Sequence, residues 1–168
     1  PTATAANLIA LDAKTSVKVK VDATQVTGTF AELEALYVTN KAGYANLGNE
    51  NVTVTGAPLA SQVSIIAKAT TGIVTAAVAA NTADVLLANL KDATATDVLT
   101  LTVNGTAKAT DLKALDAKTS VVVNASAVTK VTGSAADIKT VLAAKTITTA
   151  ANVTATADGV ISAADANT

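Results

Sequence analysis

The 168-residue chain contains no cysteine, histidine, arginine, methionine or tryptophan. Without cysteine it can form neither disulfides nor thiolate metal sites, a usage compatible with secretion. A serine or threonine nucleophile needs an activating base, so without His, Cys or Arg the usual acyl- and phosphoryl-transfer centres cannot be assembled. Enzyme activity is therefore not expected. One Phe and two Tyr cannot build an aromatic cluster, so burial must come from Leu, Ile, Val and Ala spread along the chain. That distribution suits an elongated stack better than a globule. The net charge is −1, with Lys dispersed singly among Asp and Glu. It offers no basic stripe, which argues against nucleic-acid binding. The most apolar stretch, Val63 to Leu90, is broken by Lys68, Asn81 and Asp84, so no membrane insertion is expected. No basic region followed by an apolar run opens the sequence, so a signal peptide of the usual kind is not visible.

What is present is repetition. Ala and Thr fill roughly two-fifths of the positions, and the heptapeptide Leu-Asp-Ala-Lys-Thr-Ser-Val occurs at 11–17 and again at 115–121. Apolar pairs at the helical spacing i, i+3 recur as Leu8/Leu11, Leu33/Leu36, Val63/Ile66, Leu87/Leu90, Leu112/Leu115 and Ile138/Val141. Their mean period is about 26 residues, so the duplicated heptapeptide spans four periods. Each pair sits among good helix formers in a segment of two or three turns, too short to be stable without tertiary packing.

Between the helices run β-like segments with period-two alternation, such as Val52-Thr-Val-Thr and Val98-Leu-Thr-Leu-Thr-Val. A turn residue is expected between strand and helix at Gly28, Gly56, Asn81, Gly105, Gly133 and Gly159, because Gly or Asn tolerates a sharp reversal. The fold expected is α/β: an open repeat solenoid of about six strand, Gly turn, short helix units with a parallel sheet. Residues 1–168 form a single solenoid in this reading, either a segment of a longer repetitive protein or a subunit that stacks end to end. The chain is expected to start at a helix with no strand before it. Units one and five are expected to bend between two β pieces, at Asp22-Ala-Thr and Asn124-Ala-Ser. An insertion at 37–50, holding both tyrosines, is expected as the largest surface loop.

Three features invite a chemical reading. The run Asp158-Gly159 to Asp165 has the outline of the second half of a calcium loop, yet Thr154 and Thr156 stand where such a loop carries carboxylates. Asp158 and Asp165 are thus weak metal candidates; no cofactor is expected, with calcium left open. Glu32 and Glu34 flank Leu33 on one helix, where side chains do not face each other, so a solvated face is expected there. The Thr face of the strands, as at Thr53/Thr55 and Thr100/Thr102, could order water or meet ice if it were flat. Lys18 and Lys20 in unit one and Ala in unit three break its regularity, and a solubilising face is the default. Tyr37 and Tyr44 are the remaining partner-binding candidates, since exposed tyrosine stacks on sugars and anchors interfaces; the plainer expectation is that both pack the 37–50 loop onto the core.

Units of the form Val-Thr-Gly-Thr, Ala-x-x-Leu-x-x-Leu-Asp-Ala, then Thr-Gly or Thr-Ser with a Val run, clearest at Gly105–Ala117 and Gly133–Ala144, resemble a known kind of repeat. They are similar to the Ala/Thr-rich regions of large secreted bacterial surface proteins of the cyanobacterial type, haemolysin-type, adhesin-like or surface-layer-like. The resemblance implies a non-enzymatic, extracellular, cell-surface role in a surface layer, sheath, filament or adhesin stalk, through self-association or neighbouring repeats. The alternative is a carbohydrate- or partner-binding adhesive module, with a surface glycan as partner, using the 37–50 loop or the Thr-rich face. The Gly-Gly-x-Gly-x-Asp calcium repeats that often accompany that family are missing here.

Overall fold

Threonine and valine dominate the strands, alanine and leucine the helices, and the two kinds of segment alternate throughout. A computed structural model describes residues 1–159. Among them are six α-helices, and every strand pairing is parallel. The fold is α/β with parallel sheets.

One sheet takes β1 (Thr2–Thr4), β3 (Gln25–Thr29), β5 (Asn51–Thr55), β6 (Val74–Ala77) and β7 (Val98–Thr100) in that spatial order. A small sheet pairs β2 (Val19–Lys20) with β4 (Tyr44–Ala45). In a third, β9 (Val123–Gly133) lies between β8 (Thr102–Lys108) on one side and β10 (Ile147–Thr149) and β11 (Thr154–Ala157) on the other. In the five-stranded sheet the strands follow one another in chain order, with β2 and β4 set apart as their own pair. Val26 lies beside Val52, 26 residues on, and Val52 beside Val74, 22 on. Ala76 pairs with Leu99, 23 on, and Val131 with Ala155, 24 on.

Helices α1 (Ala5–Asp12), α2 (Phe30–Glu34), α3 (Ala60–Ala69), α4 (Ala83–Asn89), α5 (Ala109–Asp116) and α6 (Ala135–Ala143) connect the strands. Their starts are fixed by side chains where the sequence allows. Thr4 and Ser134 accept from the third residue on, and Thr29 forms a reciprocal capping box with Glu32. The core between helices and strands is aliphatic and thin: Val26, Val52, Val54, Val74 and Leu99 from the sheet meet Leu33, Leu36, Val63, Ile66, Leu112 and Leu115 from the helices. No helix among the described residues is long and apolar enough to cross a membrane.

Several expectations are corrected. The chain does have a strand before its first helix, because β1 pairs in register with β3 through Ala3 and Val26. In α4 the buried partner of Leu90 is Leu86, not Leu87. Leu11 is 53% exposed, whereas Leu115 in the same heptapeptide is fully buried. Gly105 is no strand-to-helix turn: it lies inside β8 at φ +75°, where the register against β9 shifts. The two β pieces expected in unit five are one strand, β9, and the bend is a register shift opposite Asn104, with Asn124 Oδ1 accepting from the Ser126 N–H and hydroxyl. The 37–50 segment lies at the surface as expected, with residues 38–42, 46 and 49 exposed, but within it are a π-helical turn, a 3-10 turn and β4, and its tyrosines point inward.

Candidate functional site

Parallel strand pairing brings the turns around neighbouring strands side by side. The turn between β2 and β3 (Val21–Thr24) lies next to the run Asn46–Asn49 between β4 and β5, and the two line an open groove of about 760 Å³ together with Asn51 and Thr71. Asn46 at φ +63° and Gly48 at φ +120° shape its floor. Both conformations suit these residue types. Its polar rim is held from several units: Asn51 Oδ1 accepts from the Ile73 N–H at 2.9 Å, and the Thr71 hydroxyl donates to the Gly48 carbonyl at 3.4 Å. Asp22 is exposed and pairs with Lys20 at 3.0 Å. Carboxylate, amides and hydroxyls thus converge on one concavity, a set suited to hydrogen-bonding a polyhydroxylated ligand.

Below this groove the tyrosines are buried. Tyr37 is 1% exposed and its hydroxyl donates to Glu50 Oε2 at 3.0 Å, an oxygen that also accepts from the Gly48 N–H at 2.9 Å. Glu50 is itself 1% exposed, and its Oε1 has no hydrogen-bond partner among the described residues. Burial, reinforced by the Glu50 carboxylate, raises the Tyr37 phenol far above its ordinary value. Tyr44 is 5% exposed, donates to the Leu8 carbonyl at 3.3 Å, and is raised by burial and then by Asp12.

Neither ring is therefore presented to a sugar or a partner; both take the packing role that was weighed against binding for Tyr37 and Tyr44. They fasten the 37–50 segment to the core. Asp158 is exposed, its N–H donating to the Gly133 carbonyl at 2.8 Å, while Asp165 lies outside the described residues. No cluster of three or more metal-ligating side chains occurs among the described residues. Glu32 is a helix cap, accepting from the Thr29 N–H and hydroxyl. Asn46 and Asn49 fall within the 37–50 segment named above as a binding alternative, whereas the groove residues Asp22 and Asn51 escaped sequence reasoning. Only the turn-forming composition of 46–49 marks the place, and nothing local says that residue 22 faces residue 49. The chain matches no family model, no curated protein sequence and no solved structure.

Proposed function

We propose that the chain is an open α/β solenoid and serves as a non-enzymatic, extracellular structural unit of a surface layer, sheath, filament or adhesin stalk, associating end to end with like units. The parallel pairings that each step 22 to 26 residues support the solenoid. One observation supports end-to-end association. At the first unit Leu11 and Val17 are 53% and 71% exposed, while in the fifth unit Leu115, which has neighbours on both sides, is fully buried. A like unit laid over the first would bury those apolar atoms as the fourth unit covers the fifth. The resemblance to bacterial surface-protein repeats is what supports a role outside the cell. Light scattering and negative-stain imaging at rising protein concentration test the reading: ordered assemblies are expected, and Leu11→Asp with Val17→Asp should abolish them while leaving the monomer folded. A strictly monomeric wild type at every concentration defeats it.

A second reading, a carbohydrate-binding adhesive module, draws on the groove between residues 21–24 and 46–51. Its test is titration with oligosaccharides, in which Asp22→Ala and Asn49→Ala should weaken binding. Indifference to both removes its support.

A further inference from the structure

In β1, β3, β5 and β6 the residues that alternate with the buried valines form a second surface, and the register aligns it. Thr4 lies beside Thr27, Thr27 beside Thr53, and Thr53 beside Thr75, after which Val98 closes the row. A parallel row pairs Thr29 with Thr55, and Ala77 with Thr100. The sequence reading placed Lys18 and Lys20 in this array. The structure places them elsewhere, since the unit-one strand in the large sheet is Gln25–Thr29, and unit three contributes Thr75. The outward positions of the five strands, with Gln25 and Asn51 in the flanking row, carry no charged side chain, although the chain has 12 Lys and 13 acids. Each Thr presents its methyl on a stiff β-branched rotamer. The Thr27 and Thr75 hydroxyls, unpaired among the described residues, are free to meet a partner, the Thr53 oxygen accepts from Gln25 Nε2 at 3.0 Å and keeps its proton to donate, and the Thr4 and Thr29 hydroxyls cap helices. The rows repeat at about 4.8 Å across strands and roughly 6.7 Å along them.

We infer that this face binds ice. A neutral, rigid, two-dimensional lattice of hydroxyls and methyls complements a partner that is itself neutral, crystalline and hydrogen-bonding, and both repeats are on the scale of the oxygen rows on a prism face of hexagonal ice. A flat polysaccharide is the less fitting occupant: it calls for exposed aromatic platforms, and both tyrosines are buried. The inference depends on the strand registers and on neither function proposed above.

The experiment measures thermal hysteresis and crystal shape in the presence of the purified chain. The wild type should separate freezing from melting and facet the crystals. Thr53→Lys, at the centre of the array, and the milder Thr75→Val should each lose most of that gap with an unchanged circular dichroism spectrum and melting temperature. Thr156→Lys, on the third sheet, should retain it. Absence of hysteresis and faceting in the wild type overturns the inference, as does full activity in folded Thr53→Lys. Retention on cellulose or chitin powder without any hysteresis overturns it in favour of a polysaccharide.

Discussion

Thr119 Oγ1 takes the place of a strand partner for Leu99, accepting from the Leu99 N–H at 3.0 Å and donating to its carbonyl at 2.8 Å. The same oxygen accepts from the Val121 N–H at 3.1 Å, turning the chain from α5 toward β9. Thr15, its counterpart in the other heptapeptide, makes the same local turn with the Val17 N–H at 3.1 Å, but it is exposed.

The two threonines should therefore respond differently to the same change. Thr119→Val leaves a fully buried N–H of Leu99 unpaired and is expected to cost about 1 to 3 kcal/mol. Thr15→Val leaves only solvent-accessible groups and should stay within about 0.5 kcal/mol. Urea unfolding of both variants decides it, and equal losses would show that the hydroxyl at 119 has no inter-unit role.

Glycine positions separate in the same way. A Cβ on Gly72 would collide with the Glu50 carbonyl oxygen and stand 2.7 Å from the Asn51 nitrogen, both backbone atoms at the start of β5. Gly72→Ala must force units two and three apart, at a cost of at least about 3 kcal/mol. Gly56 has open space around it and only its φ of +83° to defend, so Gly56→Ala should cost about 1 to 2 kcal/mol. Thermal unfolding that ranked the two the other way would reject the tight contact at Gly72.

What the sequence disclosed and what it hid follow from the range of the forces involved. Pairs such as Leu33/Leu36, Val63/Ile66 and Leu112/Leu115 are written in helical spacing and are buried as expected, because a helix carries its own periodicity. β1 was hidden, since Thr2-Ala-Thr has no apolar run and becomes a strand only beside Gln25–Thr27. The groove was hidden because Asp22, Asn49 and Thr71 meet only through the stacking of three units. The inward packing of Tyr37 was legible, but its partner was not, because Glu50 is a residue type that belongs at the surface and is buried all the same. Identical heptapeptides cannot disclose that the leucine of one is exposed and that of the other buried.

The Tyr37–Glu50 contact carries a pH signature. The folded-state phenol titrates well above the unfolded value of about 10, so its stabilisation is complete below that pH and is lost as pH rises above it. In that window the unfolded chain releases a proton the folded chain keeps, and stability should fall by up to about 1.4 kcal/mol per pH unit from this group. Tyr37→Phe should be less stable at neutral pH by about 1 to 3 kcal/mol, because Glu50 loses a buried donor, yet its alkaline slope should be shallower than that of the wild type. Urea unfolding across the alkaline range compares the slopes. Parallel slopes would mean that Tyr37 is not the titrating group.

Leu11 and Leu115 put the exposed apolar surface of α1 to the most direct test. Both occupy the first position of the same heptapeptide at the end of a helix, so helix propensity and local sequence are matched between them. Only the neighbours differ: α5 packs between α4 and α6, whereas α1 meets α2 and the π-helical turn on one side. Leu115→Ala should open a cavity and cost about 2 to 5 kcal/mol. Leu11→Ala should change the stability of the dilute chain by no more than about 0.5 kcal/mol. If like units cover Leu11 in an assembly, the melting temperature of the wild type should rise with protein concentration, because association stabilises the folded state by mass action. Leu11→Ala should flatten that dependence while Leu115→Ala lowers the whole curve. A melting temperature independent of concentration in the wild type would leave Leu11 an ordinary surface residue and remove the support it lends to end-to-end stacking.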